Sequence, residues 1–176
     1  MNVLLHTCCA PCASHCVLAL RGLGHTATLF FSNANIAPAE EYQRRLAAVY
    51  MLAETLKIPL LLDATSHDDW LTHVAAGFEG EPEKGMRCGR CFRYSLSRTC
   101  WEMERHGFDA FTTSLTVSPH KPTPLLFEIG KAVSETRFLA VDFKKNNGFV
   151  QSVQLATEMG LYRQRYCGCE FSARKA

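Results

Sequence analysis

The sequence predicts an α/β protein with a parallel sheet and flanking helices, folded as a single domain over residues 1–176. Three observations carry this expectation. Short β-branched, aromatic or leucine-rich runs recur along the chain. A helical stretch long enough for a crossover follows each of the first ones. No internal repeat, low-complexity tract or linker divides the chain.

Val3-Leu4-Leu5 reads as a buried strand ending at the first cysteines. Pro11 then opens a helix through Cys16, Leu18 and Leu20, which Gly22 and Gly24 stop. Proline at a helix start and glycine past its end is the expected asymmetry. Thr26 to Phe31 is the second strand, and Asn33 to Pro38 a loop. Glu40 to Leu56 carries Leu46, Val49, Tyr50, Ala53 and Leu56 on one helical face. Pro59 to Leu62 is the third strand, Asp68 to Ala76 a short helix, and Gly77 to Gly85 an acidic loop. A helix is expected over Arg90 to His106, a fourth strand over Phe108 to Thr113 and a helix over Leu125 to Glu135. Phe138 to Val141 reads as a fifth strand and Phe149 to Met159 as the last helix. In an open parallel sheet, chemistry gathers at the carboxyl ends of the strands. Cys8 and Cys9 fall at the end of the first strand, and Thr112 to Ser114 at the end of the fourth.

The chain is 47% apolar and 20% charged, which excludes a disordered chain. No run approaches the ~18 apolar residues of a membrane span. Met-Asn-Val-Leu-Leu-His does not open a secretory signal. No membrane partner is expected, and the reducing cytoplasm is the expected location. The net charge of +2 says little by itself. Its distribution says more. Lys84, Arg87, Arg90, Arg93, Arg98 and Arg105 flank one cysteine pair, and Arg163, Arg165, Arg174 and Lys175 flank another. An anionic partner at the cysteines fits this pattern, as does a merely solvated helix face.

Nine cysteines stand in the chain, seven of them in three tight sets: Cys8-Cys9-Ala-Pro-Cys12, Cys88-Gly-Arg-Cys91 and Cys167-Gly-Cys169. Cysteines that served only as small core residues would be scattered, as Cys16 and Cys100 are. Clustered cysteines in a cytosolic chain point to metal or catalysis. Cys88 and Cys91 bring two sulfurs to one side of a helical turn, near a helix start that favours thiolate. At the N-terminus two ligand pairs are open. Cys9 with Cys12 resembles a zinc-ribbon pair, whereas adjacent Cys8 and Cys9 suit an iron–sulfur cluster. Cys167 and Cys169 can close a small, strained and therefore labile disulfide, or serve as further ligands. His6 precedes the cysteines, where a satisfied histidine at a strand end is the plain alternative to a donor.

Further stretches complete a pattern. They are Ser32-Asn33-Ala34-Asn35-Ile36 with Glu41-Tyr42 and Arg44-Arg45, Arg87-Cys88-Gly-Arg-Cys91-Phe92, and Thr112 through Lys121. Asp142-Phe143-Lys144-Lys145 and Gly160 through Cys169 follow. Nearly end to end, the chain resembles the QueH-type epoxyqueuosine reductases. The resemblance implies a fold similar to the adenine-nucleotide α-hydrolase (HUP) group. It also implies an oxidoreductase of queuosine biosynthesis that removes the epoxide oxygen of epoxyqueuosine at the wobble position of tRNA. It implies a [4Fe–4S] cluster on Cys8, Cys9, Cys88 and Cys91, and a redox-active pair in Cys167 and Cys169. An additional mononuclear iron beside the cluster is associated with the family; its ligands are not placed by the sequence. The partners implied are the modified tRNA and an electron donor of unassigned identity. Thr113, Ser114, His120, Tyr162 and Arg163 are the expected substrate-binding residues. Where relatives often carry a Tyr-Asp pair before the tryptophan-containing helix, this chain has Ala64 to Trp70, with Asp68 the nearest aspartate. Two other classes compete. One is a zinc-stabilised nucleic-acid-binding module without catalysis; the other is a metal-free thiol–disulfide oxidoreductase built on Cys9-Ala-Pro-Cys12.

Overall fold

The structure of the chain, a computed structural model, describes residues 1–172. Its strands are β1 (Asn2–His6), β2 (Thr26–Phe31), β3 (Leu60–Leu62) and β4 (Ala110–Thr113). They form one parallel sheet in the order β3-β2-β1-β4. Central β1 pairs Leu5 with Leu29 on one side and with Thr112 on the other. The helices are α1 (Ala10–Gly22), α2 (Ala39–Leu56), α3 (His67–Trp70), α4 (Met86–His106), α5 (Thr123–Val133) and α6 (Gly148–Glu158). A π turn over Leu71–Ala75 continues α3.

The two-residue period of a strand sorts its side chains onto two faces. Val3, Leu5, Leu29 and Phe31 face one layer, where they meet Val17, Leu20, Leu52 and Ala156 of α1, α2 and α6. Leu4, Phe30 and Phe111 face the other, against Leu96, Met103, Leu126 and Ile129 of α4 and α5. Both faces are covered, so the strands read as near-continuous apolar runs. Each fully buried Leu or Phe contributes about 1.5–3 kcal/mol. Cys16 and Cys100 sit in these two layers as core residues.

Two expectations are corrected. The fifth strand is a single bridge, Phe138 to Phe111. Phe111 exchanges backbone hydrogen bonds with Arg137 and Leu139, at 3.0 and 2.8 Å. Beyond them the hydroxyls of Thr112 and Thr116 donate to the carbonyls of Leu139 and Val141, at 2.7 and 2.9 Å. Side chains thus replace the ladder. The second correction is that α4 starts at Met86 and not at Arg90. Glu81, in the acidic loop, accepts the Met86 backbone N–H at 2.9 Å. A carboxylate at that end satisfies an orphan donor and opposes the helix dipole. The acidic loop is therefore the cap that starts the helix.

Candidate thiol centre at the carboxyl edge of the sheet

β1 ends at His6, and the chain turns at once into α1. Cys9 is the N-cap of α1, in extended backbone, and Pro11 lies in its first turn. The helix N-terminus places partial positive charge at Cys9. The Cys8 and Cys9 sulfurs are 3.8 Å apart. With Cys12, one turn on, all three lie within 4.8 Å of one another. Hydrogen bonds from Cys12 and then Cys8 hold the Cys9 thiol well below its ordinary range. Cys12 favours a Cys8 thiolate, but Cys9 and burial outweigh it and push Cys8 up to about 11. Cys8 and Cys9, with burial, push Cys12 far up as well. The trio thus carries one favoured negative charge, on Cys9. Ser114, just past β4, donates its hydroxyl to the Cys8 sulfur at 3.3 Å and accepts the Cys8 N–H at 3.1 Å.

The second pair stands across from it on the first turns of α4. The Lys84 N–H donates to the Cys88 sulfur at 3.2 Å. Burial raises Cys88. Burial, reinforced by Cys167, pushes Cys91 up to about 12. Cys91 packs with Ala34, Trp70, Phe171 and Cys169. Cys88 and Cys8 both rest against the layer around Phe92 and Leu115. Cys88 and Cys91 stand outside the Cys8-Cys9-Cys12 trio.

The third set is held in place by α2. Arg45, buried and paired with Glu41 at 2.7 Å, donates to the carbonyls of Cys167 and Tyr166 at 2.9 and 3.2 Å. The Tyr162 hydroxyl donates to the other Glu41 oxygen at 2.7 Å. The Tyr166 hydroxyl donates to the Ala37 carbonyl at 2.6 Å, and the Ala37 N–H to the Gly168 carbonyl at 2.9 Å. Both Cys167 and Cys169 are free thiols. The Lys121 ammonium lies 2.9 Å from the Cys167 sulfur.

A cavity of about 420 Å³ joins the first and third of these sets, a size that suits a small-molecule or nucleobase site. Cys8, Cys12, Cys167 and Lys121 line it, and Lys84, Arg163 and Arg165 add positive charge, with His120 and Glu83 beside them. Of the expected substrate residues, Ser114 and Thr113 are fully buried. Ser114 is turned to Cys8, while Thr113 accepts the Leu115 N–H at 3.1 Å and meets His6 at 2.9 Å. His120 and Arg163 are exposed at the cavity. Tyr162 packs on the core with its hydroxyl on Glu41. His6 is a satisfied buried histidine between Thr113 and the Ser32 carbonyl, and burial lowers its pKa. Asp68 is exposed. The buried aspartate of this region is Asp63, which accepts from Ser32, Thr65 and Arg98. Arg174 and Lys175 lie outside the described residues.

Sequence reasoning named Lys121, Glu41, Arg45 and Gln164 within matching stretches but assigned them no role, and it did not name Asp63. Gln164 reaches Cys9 and favours its thiolate. Lys121 was visible only as one more residue of a matching stretch, because nothing local announces a partner 46 positions away.

The donor set fits a sulfur-ligated metal group. Soft thiolates select iron–sulfur clusters, zinc or copper. A tetrahedral ion with bonds of about 2.3 Å places its sulfurs about 3.8 Å apart, and Cys8 and Cys9 stand 3.8 Å apart. The surroundings suit an anionic centre. Arg87, next to Cys88, is 1% exposed. One of its nitrogens donates to the carbonyls of Phe78, Glu79 and Glu81. Its Nε and Nη2 have no acceptor among the described residues, and neither has the Trp70 indole N–H. The indole lies beyond ordinary hydrogen-bonding geometry but still favours a Cys91 thiolate. Buried, unmatched donors beside thiols are costly unless an acceptor completes them.

Fold and site together define an α/β protein whose chemistry lies in a thiol-lined cavity at the carboxyl edge of a parallel sheet, on the HUP-like architecture. Residues 3–175 match the family described as epoxyqueuosine reductase QueH, and the chain belongs to that family of oxidoreductases. It is 37% identical to the epoxyqueuosine reductase QueH of Streptococcus pyogenes serotype M1, over 98% of this chain and 71% of that protein. It is 35% identical to the same enzyme of Thermotoga maritima, over 97% of this chain and 90% of that protein. In fold it is similar to a solved structure described as a predicted subunit of tRNA methyltransferase from Methanocaldococcus jannaschii, with a TM-score of 0.59 and 12% identity. That likeness covers 90% of this chain and 75% of the other. No helix among the described residues is long and apolar enough to cross a membrane.

Proposed function

We propose that this chain reduces epoxyqueuosine to queuosine in tRNA, in the cytoplasm, with a [4Fe–4S] cluster on Cys8, Cys9, Cys88 and Cys91 and a redox pair in Cys167 and Cys169. The observation that supports this most is that Cys8, Cys12 and Cys167 line one cavity, while Cys91 of α4 packs with Cys169 and both α4 cysteines feel the charge of Cys167, in a chain of this family.

When bound, the cluster would supply single electrons and a Lewis-acidic iron. Cys12, in the same trio, is the additional sulfur available to a mononuclear iron. The rest falls to the chain. Removing an epoxide oxygen as water takes two electrons and two protons, and a dithiol that closes to a disulfide provides both. His120, Arg163 and Arg165 rim the cavity where tRNA phosphates would lie. Ser114 orients Cys8 through its hydroxyl. The clamp of Glu41 and Arg45 keeps the Cys167 carbonyl, and with it the sulfur, at the cavity wall.

The compact Cys8-Cys9-Cys12 trio also suits a single zinc ion, as in a zinc-stabilised nucleic-acid-binding module. Metal analysis separates the two. Anaerobically prepared protein is expected to be brown, with about four iron and four sulfide per chain; colourless protein with stoichiometric zinc sinks the cluster. The decisive experiment is anaerobic turnover of epoxyqueuosine-containing tRNA with a strong reductant, read by nucleoside mass spectrometry. Accumulation of queuosine is expected, and no conversion by iron-loaded protein refutes the activity.

A further inference from the structure

We propose that Lys121 is the positioning residue that makes Cys167 the reactive sulfur of the pair and leaves Cys169 to close the disulfide. This rests on the redox role given above to Cys167 and Cys169.

The two cysteines are two residues apart and sit in unlike surroundings. Cys167 lines the cavity, with the Lys121 ammonium 2.9 Å from its sulfur. Cys169 is 7% exposed and packed behind it, among Trp70, Ala75 and Phe171. Among the described residues its sulfur hydrogen-bonds only to the Ser172 hydroxyl, at 3.5 Å. A lysine beside a thiol favours the thiolate, and the thiolate is the nucleophile. Lys121 has no carboxylate in ion-pair contact among the described residues, and the Cys167 sulfur is the side-chain acceptor its ammonium meets. Burial works against the Lys121 charge, but Cys167 outweighs it and the ammonium is retained. The Phe92 ring, 5.6 Å from the ammonium, adds a cation–π contact.

Both ends of the contact are fixed. The Lys121 N–H donates to the Ser118 carbonyl at 3.2 Å, and the Lys144 ammonium donates to the Lys121 carbonyl at 3.2 Å. On the other side Arg45 holds the Cys167 carbonyl. The meeting of ammonium and sulfur is therefore built from two separately anchored loops. The stretch Asp142-Phe143-Lys144-Lys145, otherwise without a task at the site, supplies one of the anchors.

The chemistry balances as follows. The Lys121 ammonium holds one proton, the Cys169 thiol the other, and the two sulfurs yield two electrons as their S–S bond forms. Both epoxide C–O bonds break, a C=C bond forms, and the oxygen leaves as water with those two protons. Epoxyqueuosine is the oxidant and the dithiol the reductant.

The test is brief alkylation of the reduced, metal-loaded protein with iodoacetamide at pH 7, with modification at each cysteine read by peptide mass spectrometry. Cys167 is expected to react about tenfold faster than Cys169. Lys121→Met should slow Cys167 about tenfold and leave Cys169 unchanged, whereas Lys121→Arg, which keeps a cation, should stay within about threefold of the parent. Unaltered far-UV circular dichroism and iron content show that Lys121→Met has folded; should it fail to fold, Lys121→Gln is read in its place. Equal reactivity of the two sulfurs, or no slowing of Cys167 on loss of the cation, overturns the assignment. The redox reading is tested separately. If Cys167→Ser and Cys169→Ser each keep multiple-turnover activity, the dithiol role falls, whatever the alkylation rates show.

Discussion

Gly168 shows how much one residue carries here. Its φ is +145°, and a Cβ there would meet the Asn35 side-chain nitrogen at 2.9 Å, Ile36 at 3.1 Å and Arg45 at 3.3 Å. The spacer of Cys-Gly-Cys is thus set by backbone conformation and by packing on the Asn33–Pro38 loop, as well as by ring size. Gly168→Ala is expected to cost about 1–3 kcal/mol of strain and to lower multiple-turnover activity more than about tenfold through displaced sulfurs. Iron content should be unchanged, as checked by parallel turnover and metal assays. Asp63 makes a second residue-scale prediction. Burial works to raise its carboxyl, but hydrogen bonds from Arg98, Ser32 and Thr65 prevail and hold it below the usual range. A depressed folded pKa stabilises the fold above the unfolded value, near 3.9. That contribution is lost as pH falls through the folded value. Asp63→Asn should therefore cost about 2 kcal/mol at pH 7, and urea titrations of the two proteins should converge below about pH 4.

At the scale of elements, α2 is the scaffold of the C-terminal segment. Its amphipathic face was expected from Leu46, Val49, Tyr50, Ala53 and Leu56; Val49 fills one core layer with Leu46, Ala53 and Leu56 packed against it, whereas Tyr50 is exposed and Leu52 is buried instead. The Glu41–Arg45 pair was not expected, because two charged residues one turn apart read as a solvated face. Both are buried, and their remaining bonds go to Tyr162, Tyr166 and Cys167. Arg45→Met leaves Glu41 buried without its cation, at a cost of about 3–5 kcal/mol. The C-terminal segment should then loosen. Limited trypsin digestion after Arg163 and Arg165 is expected to run at least about tenfold faster than in the parent, and an unchanged digestion rate would argue against the clamp. The N-terminus of α4 repeats the lesson from the other direction. The acidic stretch before it looked like a plain loop, yet Glu81 caps the helix and so sets where Cys88 and Cys91 point.

For the molecule as a whole, the parallel order β3-β2-β1-β4 brings the ends of β1, β2 and β4 to one edge. The cation-lined cavity opens there, and the long α4 starts beside it, where Lys84 of the cavity wall donates its N–H to the Cys88 sulfur. A substrate as highly charged as tRNA makes binding steeply dependent on salt. Each phosphate contact contributes about 0.7–0.9 to the slope of log affinity against log salt. Replacing Arg163 and Arg165 together by alanine should flatten that slope by about 1.5, as measured by fluorescence anisotropy between low and physiological salt. An unchanged slope would place the tRNA backbone elsewhere.

The sequence by itself determined the alternation of strands and helices in a parallel sheet with flanking helices, and the grouping of the cysteines into three tight sets apart from two core residues. These are properties of local period and spacing: apolar residues repeat at two or 3.6, and cysteines cluster where one turn can aim them together. The expected fifth strand failed for a matching reason. Whether Phe138 to Val141 forms a ladder depends on the threonine hydroxyls of β4 and of the turn after it, not on its own composition. Tertiary structure alone decided that Arg45 holds the Cys167 carbonyl, that Lys121 meets Cys167 and that Asp63, not Asp68, is the buried aspartate. Each is a side-chain contact or a choice of burial that depends on how distant segments are brought together. Charge and hydrogen-bond partners across tens of residues are set by topology, and no local pattern in the chain records them.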